Sequence, residues 1–207
     1  MANCGVLITL LFSLMMPLTS AATDLVLDIP WAYQQIAQDE RVPVESLYSL
    51  ALAESSKKLA GGRVRPWPWT INVAGTGYRY ETREKAMAAL LSFIRVYPLK
   101  RIDVGIAQVN LGWNGHLFPS LHDAFDPYLN LRVAARLLRA CYDSSPGSWL
   151  RAAGCYHHPA GGQAARVYMA IVRSKLDAMG DTRQKTKPLS VASATSLSQL
   201  TWVEPDK

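Results

Sequence analysis

Along most of this chain, from Asp24 to about Gly180, apolar residues recur at helical spacing, and only one short stretch breaks into the alternation of strands. A first helix opens at Pro30, where a first-turn proline fits, and carries Trp31, Tyr33 and Ile36. A second begins near Pro43 and contains "ESLYSLALAESS". Thr82 caps a third, amphipathic through Ala86, Leu90, Phe93, Ile94 and Tyr97. The segment "DVGIAQVN" then reads as short and mostly buried. Asp126-Pro127, an N-cap followed by a proline at N1, starts a helix that runs through Leu131, Ala134, Ala135 and Leu138 to Cys141. Trp149 to Cys155 is a brief helix, and Gly161 to Met179 the last. Between Trp69 and Tyr80 the β-type runs "WTINV" and "YRY" flank "AGTG", a hairpin with a glycine-containing turn. Gly75 and Gly77 lack the third glycine and the following helix of a phosphate loop. The expected fold is therefore mainly α, an α+β domain with one small β-hairpin and no internal repeat.

The ends of the chain differ from its middle. Residues 1–22 carry no charged side chain, hold an apolar run from Val6 to Leu18, and close on Ser20, Ala21 and Ala22. That is the form of a secretory signal peptide, although no Lys or Arg precedes the run; an uncleaved N-terminal anchor is the alternative. The run is short for a membrane span, and no second apolar segment is long enough for one. Residues 23–180 form the domain, and residues 181–207 turn Ser/Thr-rich without apolar periodicity, as a flexible polar tail does. The expected location is periplasmic or otherwise exported. Of three cysteines, Cys4 would leave with the signal, and Cys141 and Cys155 would remain. In an oxidising compartment such a pair joins as a disulfide; two small buried hydrophobes are the alternative. The net charge of +6 suits an anionic polymer or surface, yet its Lys and Arg residues are scattered and form no nucleic-acid motif. Export and scatter together argue for a polyanion outside the membrane and against nucleic acid.

One residue breaks the helical pattern. Glu54 lies seven, four and three positions after Leu47, Leu50 and Ala51, on the same apolar face. A carboxyl group there has a chemical use, because burial disfavours the charged form and lets the group hold a proton for donation. The competing account is that Glu54, near a helix end, reaches solvent or pairs with Lys57 or Arg63.

Four ordered segments, "ALAESS", "DVGIAQVN", "DPYLNLRVAARLL" and "AAGCYHHPAGG", resemble the motifs of the SLT-type lytic transglycosylases, within the lysozyme-like superfamily. The resemblance runs from Pro30 to Met179, and the inserted "WPWTINVAGTGYRYETREKA" is similar to the variant tied to conjugation, type IV secretion and integrating conjugative elements. It implies Glu54 as catalytic acid and base. Ser55 would orient Glu54 or contact the sugar, and Gln108 would line a glycan groove with Gly105 permitting close approach. Asn130 would hold the segment beneath the site, and Tyr156 would point its hydroxyl toward Glu54 or substrate. His157 stands where the family has Asn, Ala107 where it has Met, Ala134 where it has Gly, and Cys155 where Ala is common; the first of these alters a hydrogen-bonding position.

The implied reaction cleaves the MurNAc–GlcNAc bond of peptidoglycan with 1,6-anhydro ring closure, needs no cofactor, and opens the wall locally for an envelope-spanning apparatus. A lysozyme-type hydrolase with a second carboxylate and a non-catalytic wall-binding assembly factor are the alternatives. Asp103 could serve as that carboxylate, but capping is the expected role. His157-His158 lacks a metal-ligand spacing, and His116 and His122 lie apart in the sequence. Cys155 is expected to pin the Tyr156 loop rather than act as a nucleophile. Trp67, Trp69, Tyr78 and Tyr80 could wall the groove or pack the hairpin.

Overall fold

The computed structural model describes residues 29–184, so the expected signal and the tail from residue 185 onward lie outside the described residues. Helix α1 (Trp31–Asp39) and helix α2 (Val44–Ser55) follow Pro30 and Pro43, which occupy the cap positions just before the first turn. A short antiparallel pair comes next, β1 (Ser56–Lys58) with β2 (Val64–Pro66). The expected hairpin is β3 (Thr70–Val73) with β4 (Thr76–Arg79), closed through Ala74 and Gly75, both at positive φ. Helix α3 (Arg83–Phe93) opens on Thr82, whose hydroxyl accepts from Lys85 N at 3.3 Å. Strands β5 (Ile102–Val104) and β6 (Val109–Asn110) lead into the single-turn α4 (Leu111–Asn114). The last three helices are α5 (Pro127–Ser144), α6 (Trp149–His157) and α7 (Gly162–Gln184).

Helix α2 is the axis of the domain. Leu47, Tyr48, Leu50 and Ala51 have no exposed surface, because α1, α5, α6, α7 and β2 pack around them. Leu131, Ala134, Ala135 and Leu138 of α5 supply the facing stripe. Small residues at 134, 135, 152 and 153 let these helices approach closely. Cys141 and Cys155 form a disulfide joining α5 to α6, Cα atoms 5.8 Å apart, across 14 positions of sequence. Closing a loop of that size contributes about 3 kcal/mol. Among the described residues no helix is long and apolar enough to cross a membrane.

The domain is mainly α with a small antiparallel sheet, but the sheet exceeds the expected hairpin. Its order is β4-β3-β5-β6, with Asn72 opposite Asp103 and Asp103 opposite Asn110. Strands two to four residues long are too brief to show an alternation in sequence. Helix α3 stops at Phe93 instead of reaching Tyr97, since Pro98 disfavours helical geometry just before it. Helix α6 continues past Cys155 to His157. Helix α7 runs four residues into the expected tail, where no helix breaker interrupts it.

The turn between β5 and β6 is fastened to α5 by one side chain. Asn130, with no exposed surface, donates to the carbonyls of Val104 (3.0 Å) and Ala124 (2.9 Å) and accepts from Ala107 N (2.9 Å). Gly105 lies at φ +85° directly against it; a Cβ there would stand 2.2 Å from Asn130 Nδ2. Its lack of a side chain therefore admits Asn130, not a substrate. N130A should destabilise the fold by about 3 kcal/mol, as three buried backbone groups lose their partner, and G105A by a similar amount. Urea unfolding of the double variant should show a smaller loss than the sum, because the glycine's nearest neighbours all belong to Asn130.

Candidate active site

Glu54 sits on the last turn of α2 with its side chain 12% exposed, and lines a cleft of about 900 Å³ between the sheet and helices α5 and α6. Its position follows from its neighbour. Ser55 is fully buried, and its hydroxyl donates to Ile106 O (2.6 Å) and Ala51 O (3.2 Å) while accepting from Trp67 N (3.1 Å). That hydroxyl locks the helix end to the β5–β6 turn and to the segment entering β3. Of the two roles expected of Ser55, a side chain with no accessible surface suits orienting Glu54 and not contact with a sugar.

Gln108 lines the cleft with 9% of its surface exposed and takes a left-handed φ of +51°. Its amide donates to Thr70 O (3.1 Å) and Gly105 O (2.7 Å), so what remains to offer a ligand is its carbonyl oxygen. Tyr156 also lines the cleft, but its hydroxyl donates to Ala107 O at 2.7 Å instead of reaching Glu54. Burial, then the Glu54 and Asp103 charges, hold that phenol well above its ordinary pKa, so it stays protonated. Gly105 and Asn130 stand behind the cleft, as the fold requires.

His157 brings its Nδ1 to 3.7 Å from Glu54 Oε1, and its ring lies flat on Tyr168, centroids 4.2 Å apart. The Glu54 carboxylate raises the imidazole's pKa against the burial that would lower it. Lys57, a possible partner of Glu54, instead sits over the Trp67 ring at 3.5 Å. Among the described residues no three His, Cys, Asp or Glu side chains gather as a metal site. The disulfide forms part of the cleft wall, immediately before Tyr156 and His157 in the chain.

Trp113 and Tyr168 were not expected from sequence, and Asp103, a possible second carboxylate, was expected to cap. Asp103 caps nothing; it projects from β5 into the cleft and accepts from Asn110 Nδ2 at 2.8 Å. Burial pushes its carboxyl up from 3.8 to about 6, the Asn110 bond opposing and the Glu54 charge adding to the rise. Trp113, 63% exposed, lines the cleft with Lys100 Nζ 3.9 Å from its ring centroid. The "NLGWN" run beginning two positions after Gln108 was its signal in the sequence. Tyr168, on α7, is buried beside Glu54, and burial and then the Glu54 charge hold its phenol well above the ordinary pKa. Conversely, Trp67 and Trp69 are 1% and 5% exposed and belong to the core, not to a wall, while Tyr78 packs on Phe93.

These groups can act together on a ligand in the cleft: one carboxyl close to an imidazole, a second anchored by an asparagine, and fixed acceptors around both. The second carboxyl has a measurable signature. Asp103 binds its proton more tightly folded (about 6) than unfolded (near 3.8), so its contribution to stability is full below about pH 4 and lost as pH rises through 6. The shift corresponds to ~3 kcal/mol. Urea unfolding between about pH 4 and pH 7 should therefore show the natural chain losing up to that amount relative to D103N.

No family model, curated protein or solved structure matches this chain, so the chemistry rests on these side chains.

Proposed function

We propose that this protein cleaves the glycan of peptidoglycan as a lytic transglycosylase of the SLT type, on a lysozyme-like fold, with Glu54 as acid and then base. The observation that supports it most is Glu54 itself: a nearly buried carboxyl at the end of the central helix, opening onto a cleft of about 900 Å³. Gln108, Tyr156 and His157 line the same cleft, and the other motif residues, Ser55, Gly105 and Asn130, hold its floor in place.

In this reading Glu54 protonates the glycosidic oxygen while the bond from C1 of the muramyl sugar breaks. The substrate's own N-acetyl oxygen stabilises the cation that develops. Glu54, now ionised, removes the proton of the C6 hydroxyl as its oxygen bonds to C1. The ring closes without water and the carboxyl ends as it began. His157, whose pKa the carboxylate raises, is placed to balance Glu54's charge between the two steps. Tyr156 and Gln108 keep the β5–β6 turn rigid around the reacting bond.

Asp103 supports a second reading, hydrolysis of the same bond. An ionised carboxylate across the cleft from an acid can steady the cation and orient water, the arrangement of two-carboxylate glycosidases. The role that follows from the resemblance is local opening of the wall for a conjugation or secretion complex by an exported protein.

Mass spectrometry of purified peptidoglycan after incubation with the natural chain, E54Q and D103N separates these readings. Transglycosylation predicts 1,6-anhydro products that fall on the order of 1,000-fold in E54Q and persist in D103N. Reducing-end products that need both carboxylates would establish the hydrolase. Wall binding without products would identify an assembly factor.

A further inference from the structure

Residues 95–101, "RVYPLKR", are exposed without interruption. Val96 is 74% exposed, Leu99 41% and Tyr97 39%, and the neighbouring Trp113 and Leu117 are 63% and 40%. Lys100, lying over the Trp113 ring, joins the segment to Trp113. The turn Leu99–Arg101 packs on α4, where Gly112 lies so close that a Cβ would stand 2.4 Å from Lys100 N. Asn110 Nδ2 donates to Lys100 O at 3.0 Å, and Lys100 Nζ rests on the Trp113 ring. Main-chain contacts thus hold the segment down while its apolar side chains face outward.

Charge marks the same surface. Between Lys85 and His122 the sequence has a single acid, Asp103, and that carboxyl is turned into the cleft and bonded to Asn110. Arg95, Lys100 and Arg101 flank the apolar tip with no acid among them. An apolar segment flanked at both ends by bases calls for an occupant that is apolar within and anionic at its face.

We propose that this surface docks on an anionic phospholipid bilayer, with Val96, Tyr97 and Leu99 entering the headgroup–acyl boundary and Arg95, Lys100 and Arg101 meeting lipid phosphates. A glycan strand would use aromatic stacking and hydrogen bonds and has no use for exposed Val96, Leu99 and Leu117. Acyl chains do, and Tyr and Trp are the side chains suited to the interface between chain and water. Trp113 belongs both to this surface and to the cleft, so docking brings that edge of the cleft to the membrane.

The test places an environment-sensitive fluorophore at position 96 of the full chain through V96C, with C4S so that no second free thiol is labelled. The phosphatidylcholine vesicles control for the apolar run Val6–Leu18, which would carry the label to either lipid. Vesicles of phosphatidylglycerol should brighten its emission and shift it to the blue, and vesicles of phosphatidylcholine should not. Adding K100Q and R101Q should raise the lipid concentration needed by about 25-fold, each base contributing roughly fivefold. Salt at about 0.5 M should weaken the response, and L99D should abolish it with an unchanged thermal melt. An emission unchanged by both vesicles overturns the proposal. So does a response to purified peptidoglycan strands in place of lipid, which would make the patch a wall contact. None of these outcomes depends on catalysis by Glu54.

Discussion

The hydroxyl of Ser55 decides where Glu54 can be. One buried oxygen bonds the last turn of α2, the β5–β6 turn through Ile106, and the chain entering β3 through Trp67. Three separate parts of the fold therefore meet at the residue next to the carboxyl. Asn130 performs the same service from the other side, binding Val104, Ala107 and Ala124 with one amide. Because these bonds are sealed from water, each loss would leave buried backbone groups unpaired, which is more damaging than the loss of an exposed bond. The cleft's geometry is thus set by a few bonds in the dry interior beneath it.

Electrostatics on the cleft side is a problem in three bodies. Burial raises the carboxyl of Asp103, and the nearby Glu54 charge adds to the rise. His157 answers from the rim, half exposed, drawn toward its charged form by Glu54 and held flat by Tyr168. A neutral asparagine at that position could bond to the carboxyl but could not change charge with it. The histidine therefore adds a second titrating group to the Asp103 carboxyl raised to about 6, and the site's charge state varies with pH.

Much of this was legible in the sequence because helical spacing reports burial. Glu54 shares a face with Leu47, Leu50 and Ala51, which are fully buried, and its side chain is correspondingly nearly so. The Asp126-Pro127 start and the Thr82 cap lie where their chemistry required. Asp103 was misread because β5 is three residues long, and its alternation, Ile102 and Val104 inward, becomes meaningful only once β3 and β6 flank it. Trp67 and Trp69 resembled groove aromatics, since ring size alone does not distinguish a stacking wall from a core filler. Tyr168 lies more than a hundred residues from Glu54 on a helix that only tertiary packing brings near.

A division of labour follows from where the polar atoms go. Ser55, Asn130, the amide of Gln108 and the hydroxyl of Tyr156 all direct their hydrogen bonds to backbone groups around the β5–β6 turn. The residues that carried the resemblance are thus mostly positioning residues. Glu54, Asp103 and His157 are ionisable groups that line the cleft from three different elements, α2, β5 and α6, with Tyr156 and His158 beside the last. Rigid support beneath a small set of titrating groups is what precise proton transfer demands, because a displacement of about 1 Å lowers rates roughly 100-fold. The disulfide extends that logic to α6: Cys155 is tied to α5 immediately before the chain presents Tyr156 and His157, so the imidazole is held by a covalent link as well as by its stack on Tyr168.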